Sequence, residues 1–243
     1  MLKKLPLALL AVALLGGCAQ NAPAPKVDPQ VMQHFQQAFS AAVYRSISAR
    51  VQEETSGALS LRIIADRQGR ALSCEAGPAR FKSDEQLPAE VPRSDPAKFA
   101  RQMEEYCRQG IYPTGPEALY DDKGQIELVA PVYVVFPDRG FSGWRLVNAQ
   151  RQFFGEHLLK GEQASSIGTL VVRYQRDASG CLVDLRPHPL RPADFKLDGA
   201  LLGRLNAACM KLDLHQVPGL DKLDEKKPVG VVSMEYAPWT VGR

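Results

Sequence analysis

Apolar residues alternate with polar ones in several short stretches of this chain, and the stretches come in two matching sets. Leu59, Leu61, Ile63 and Ala65 fall on one face of an extended segment, as do Leu170, Val172 and Tyr174. The two segments are 111 residues apart, and at that spacing Arg62 meets Arg173, Asp66 meets Asp177 and Gly69 meets Gly180. Each runs into a D-x-x-G turn, Asp66 to Gly69 or Asp177 to Gly180, whose glycine permits positive φ. The strands predicted to follow are Arg70 to Cys74 and Cys181 to Leu185. Cys74 and Cys181 are expected on the buried face, together with Leu72, Val183 and Leu185.

A helical period comes next in both sets. Phe99, Met103, Tyr106 and Cys107 form one stripe, and Leu201, Leu202, Leu205, Ala208, Cys209 and Leu212 form the other. Loops containing Phe81 to Asp84 and Phe195 to Asp198 lead into them. A third strand closes each set. Ile126 to Phe136 contains Pro131, which argues for an edge strand or a bulge, and Val229 to Tyr236 is its counterpart. A helix precedes each set: Val31 to Ile47, with Asp28 and Pro29 as its cap and first residue, and Ala149 to Leu159, interrupted by Gly155. The junction is expected in 138–148. The pattern predicts an α+β chain of two tandem helix-packed, three-stranded antiparallel units, 30–138 and 139–243.

The N-terminus has a different grammar. Lys3 and Lys4 precede an apolar run of eleven residues, Leu5 to Leu15, too short to span a membrane and suited to a secretory signal. The run ends in Leu15-Gly16-Gly17-Cys18, which resembles a bacterial lipobox. The expectation is a signal peptide at 1–17, a lipid (palmitate among its acyl chains) on Cys18, and a tether over 18–29. Alternating Ala and Pro make that tether a semi-rigid spacer. Ala19 after the cysteine favours sorting to the outer membrane, with the folded body facing the periplasm.

Cleavage there alters the charge. The 243-residue chain carries a formal +3, and the stretch from Cys18 onward carries +1, which removes the case for nucleic-acid binding. Four cysteines remain: Cys74, Cys107, Cys181 and Cys209. An even number in an exported chain points to disulfides. Of three possible pairings, chain order favours Cys74–Cys107 and Cys181–Cys209, each stapling a helix to a strand. A metal site is the rival, but there is no CxxC, and His34, His157, His188 and His215 lack ligand spacing to any cysteine.

The run GTLVVRYQRDASGCLVDLRP, followed by LLGRLNAACMKL, resembles the C-terminal periplasmic domain of the TonB/TolA family. SLRIIADRQGRALSC and FARQMEEYC resemble a second, more diverged copy. The TolA branch also pairs a cysteine near the hairpin with one in the next helix. The resemblance implies the family's fold and its habit of binding periplasmic proteins, partly by offering a sheet edge. Two features depart from it: this chain has a lipobox and a short tether where family energy transducers keep an uncleaved transmembrane helix and a long Pro-rich span, and the family's proline after the helix has only Pro113 and Pro218 as candidates.

Catalytic motifs are missing: there is no GxSxG, SxxK, HExxH or phosphate loop. Glu53-Glu54, Glu104-Glu105 and Asp121-Asp122 read as solvated faces, and His188, between Pro187 and Pro189, as a surface loop residue. Arg186, Arg191 and Lys196 are diluted by Asp184, Asp194 and Asp198. Trp144 and Trp239 read as core or rim packing. The expectation is a non-enzymatic protein-binding module of the cell envelope, without cofactor or metal. Its partners would be envelope proteins, bound along the third strands, with Val129, Tyr133, Val135, Val231, Ser233 and Glu235 setting selectivity. The alternatives are an accessory assembly lipoprotein of a secretion or pilus machine, or an inhibitor of a periplasmic enzyme.

Overall fold

Asp28 starts the first helix, its carboxylate accepting the backbone N–H groups of Gln30 (2.8 Å) and Val31 (3.3 Å). The helix, α1, runs Pro29–Ser48. Of its expected stripe, Phe35, Phe39, Ala42, Val43 and Ile47 are buried, whereas Val31, in the first turn, is about half exposed. The computed structural model describes residues 27–51, 53, 55–79, 93–136, 142–226 and 228–242. The lipobox, Phe81 to Asp84 and the junction at 138 lie outside them. None of the described helices is long and apolar enough to cross a membrane.

The architecture is α+β, with two separate three-stranded antiparallel sheets. The described residues divide into two compact units, one drawn from 27–44 and 56–135, the other from 45–55 and 136–242. In the first, β1 (Thr55–Asp66) and β2 (Ala71–Gly77) form a hairpin, α2 (Pro96–Arg108) follows, and β3 (Gln125–Phe136) joins the far side of β1. The sheet order is β2-β1-β3. In the second, α3 (Ser142–Phe154) leads to β4 (Gly168–Gln175), β5 (Cys181–Pro187), α4 (Gly199–Cys209) and β6 (Val229–Tyr236), in sheet order β5-β4-β6. The two units thus repeat one topology.

Leu72 corrects the face assignment in β2. A β-bulge pairs Ile64 with Ser73 but Ala65 with Ala71, so Leu72 has no cross-strand partner and is 45% exposed. Cys74 still faces inward, opposite Ile63, as Cys181 does opposite Tyr174. Parity survives because the extra bulge residue is offset by a turn one residue shorter, 66–70 against 175–180.

Both cysteine pairs are disulfides in the order the chain favours. Cys74–Cys107 joins β2 to α2 with Cα atoms 6.1 Å apart, and Cys181–Cys209 joins β5 to α4 at 5.5 Å. Their sequence separations of 33 and 28 correspond to roughly 3–4 kcal/mol each by chain entropy. Under the bridges lie Phe99, Met103, Leu61 and Ile63 in one unit, and Leu201, Leu205, Leu170 and Val172 in the other, all 3% exposed or less.

Other local expectations are revised. Ser142–Phe154 is helical, so α3 begins inside the segment expected as a junction. At Gly155 the helix widens into a π turn that ends at Leu159. The second turn takes positive φ at Ala178 (59°) rather than at Gly180, while Gly69 (71°) behaves as expected in the first. The glycines of β4 and β6 have a packing role. Gly168 lies opposite Tyr236 and Gly230 opposite Tyr174, and each tyrosine ring folds over the glycine facing it. A Cβ on Gly168 would meet the Tyr236 ring carbon Cε1 at 2.7 Å.

Candidate functional site

A sheet edge exposes alternate N–H and C=O groups, so what fills those groups decides whether the edge can bind anything. At the outer edge of β5, Asn206 of α4 accepts the Val183 N–H at 2.8 Å and donates its Nδ2–H to the Val183 carbonyl at 3.1 Å. At the outer edge of β2, Glu104 of α2 accepts the Ala76 N–H at 2.9 Å. Glu104 is therefore not part of a solvated acidic face. Helix residue and strand residue occupy equivalent places in both units: three before the helix cysteine and two after the strand cysteine.

The third strands carry the candidate binding residues. On β6, Val231 and Ser233 are exposed, but the Ser233 carbonyl accepts from Arg151 Nε of α3 at 3.0 Å. Arg151 also donates to Asn148 Oδ1 (2.7 Å), and Asn148 donates to the carbonyls of Ser48 (2.9 Å) and Val51. Burial lowers the pKa of the Arg151 guanidinium; Glu235 opposes this and Arg45 adds to it.

Glu235 is engaged from within its own unit. Arg45 donates Nε–H to its Oε1 at 2.7 Å, and Arg45 Nη2 is paired to the same oxygen. His188 is the other neighbour. It is fully buried, a correction to its expected place on the surface. The Leu190 N–H donates to its Nδ1 (3.3 Å), and its Nε2 lies 3.3 Å from Glu235 Oε1. Burial pushes the Glu235 carboxyl up; His188 and Arg45 outweigh it and draw the pKa down to about 2. A partner would have to displace this network to read Glu235.

On β3, Tyr133 is 36% exposed, and Val129 and Val135 are half-buried. Pro131 has no N–H, so on a strand paired only with β1 its nitrogen faces away from β1. By the two-residue period, Val129, Tyr133 and Val135 present their backbone in the same outward direction.

Other candidates resolve into structure. Arg186 pairs with Asp184 at 2.9 Å and Arg191 with Asp194 at 2.6 Å, while Asp198 caps α4 through the Leu201 N–H (2.9 Å). Asp121 binds the N–H groups of Lys123 and Gln125 in its turn. Trp239 is buried and Trp144 is 41% exposed. An open cleft beside Asp177, His215 and Asp221 holds no nucleophile and base in contact among the described residues. No cluster of three or more potential metal ligands occurs among the described residues either, and the cysteines from 74 onward are all in disulfides.

Comparison with known proteins adds no relative: no family model, curated protein or solved structure matches the chain.

Proposed function

We propose that this protein is a lipoprotein anchored to the outer membrane, faces the periplasm, and acts as a non-enzymatic protein-binding module. The observation that carries the reading is the treatment of the sheet edges. β2, β5 and β6 each have edge backbone groups bound by a side chain from a helix, Glu104, Asn206 and Arg151 respectively. Such plugs suppress non-specific strand pairing. The twelve-residue β3, which carries Val129, Tyr133 and Val135 along its outer side, is the edge assigned to a chosen partner strand. The two helix-to-strand disulfides fit an oxidising compartment, and the lipobox fits delivery to it.

Two experiments test this. Cells fed radiolabelled palmitate should incorporate label into the protein and lose it with Cys18→Ser; an unlabelled wild-type protein would overturn the lipid anchor. Val129→Pro removes an outward N–H without touching the pairing to β1. It should leave disulfide formation and membrane fractionation intact and abolish partner crosslinks from β3. Unchanged crosslinks would overturn the edge mechanism.

A further inference from the structure

The two sheets differ at one matched position on their outer faces. In the first unit, Arg62 of β1 is flanked by carboxylates on both neighbouring strands. It donates to Glu127 of β3 through Nε and Nη2, both at 2.8 Å, and to Glu75 of β2 through Nη1 at 3.1 Å. The Glu127 hydrogen bonds, then those of Glu75, hold the guanidinium firmly charged. That row satisfies itself.

Arg173 of β4 is the counterpart of Arg62, 111 residues on, and it too points away from the buried face of Leu170, Val172 and Tyr174. Its cross-strand neighbours are Leu182 on β5 and Val231 on β6. Both are 56% exposed, and Val229, one pair further along, is 41% exposed. Leu182 stands where the first unit has Glu75: both strand residues directly follow or flank the bridged cysteine and pair with the matched arginine. The Arg173 side chain makes no hydrogen bond or ion pair among the described residues. Asp184, on the same face opposite Val171, is held by Arg186, and Arg176 is paired with Glu225. An arginine fork between two exposed apolar side chains therefore lacks the acceptor that its counterpart has on both sides.

We propose that the outer face of β5-β4-β6 around Arg173 docks a protein segment presenting one carboxylate side chain flanked by apolar side chains. The first unit shows the chemistry that satisfies the arginine at this position, a two-point carboxylate contact. Leu182, Val231 and Val229 supply the apolar surface that such a segment would cover. The inference rests on the reading of the chain as a protein-binding module and names a second surface for it, distinct from the β3 edge.

The test uses the full-length oxidised protein and the blocked peptide acetyl-Leu-Ser-Glu-Ser-Val-amide, followed by amide chemical shifts. Shifts should centre on Arg173, Leu182 and Val231. The peptide with Gln in place of Glu should bind at least about threefold more weakly, from the strength of exposed ion pairs. Arg173→Gln should erase that difference. Leu182→Glu with Val231→Glu, which rebuilds the closed row of the first unit, should abolish binding without lowering the melting temperature. Equal binding of the Glu and Gln peptides, shifts centred elsewhere, or no shift at millimolar peptide would overturn the proposal. Photo-crosslinkers at Leu182 and at Val129 in intact envelopes separate the two readings. Crosslinks from 182 that vanish with Arg173→Gln support this face. Crosslinks from 129 alone overturn this face and leave the module standing, and crosslinks from neither overturn both.

Discussion

Asn206 holds the outer edge of β5 as Glu104 holds that of β2, each from the helix that a disulfide fastens to the same strand. The covalent link sets the helix in place, and the polar side chain one turn earlier closes the nearest backbone groups. Asn206→Ala removes both hydrogen bonds to Val183, along with one to the Leu202 carbonyl, and leaves the Val183 groups to water. The expected cost is about 1–2 kcal/mol in urea unfolding. The opened edge should also promote dimers, visible by sedimentation at high concentration. A variant of wild-type stability that stays monomeric would show that the contact is incidental.

Glu235 should make stability depend on acid. Its folded pKa, about 2, lies below the ordinary 4.5, so the native state favours the ionised form. The stabilisation is complete above the unfolded value near 4.5 and is lost as pH falls through about 2. Its size is up to about 3 kcal/mol from the shift. Unfolding free energies at pH 7 and pH 3 should differ less in Glu235→Gln than in wild type. Parallel pH profiles would place the acid sensitivity elsewhere.

Ala178 carries a left-handed backbone, φ 59°, in the β4–β5 turn. Glycine adopts that conformation without the Cβ clash. Ala178→Gly is expected to stabilise by about 0.5–1 kcal/mol, less the added freedom of the unfolded chain. A thermal melt that shifts downward would count against the strained turn.

Gly230 faces the Tyr174 ring, and a methyl group there would overlap it. Gly230→Ala should cost about 1–3 kcal/mol, as overpacking does. In a Tyr174→Leu background the same change should cost much less, because the ring that it strikes is gone. Equal costs in both backgrounds would assign the loss to backbone preference instead.

How far the chain could be read follows from how local each feature is. β6 spans Val229–Tyr236, as its alternation indicates, and the stripes of α2 and α4 fix both cysteine partners. Leu72 misled because one bulge residue reverses alternation, and nothing in Arg70 to Cys74 announces a bulge. His188 was misplaced because the carboxylate that it faces, Glu235, belongs to a strand far along the chain. Glu104 and Asn206 did leave a signal. A polar residue three before a bridged helix cysteine lies on the same side of the helix, turned toward the strand that the cysteine joins.

The disulfides have a consequence for the order of events in synthesis. Each joins cysteines that are consecutive among the four from residue 74 onward, and each closes within one unit. A chain threaded N-terminus first through a membrane presents Cys107 while Cys74 is the only earlier thiol of these four, and Cys209 when only Cys181 is still waiting. An oxidase that joins thiols as they emerge reaches the native pattern without reshuffling. Maturation should then depend on a thiol oxidant and be indifferent to a disulfide isomerase.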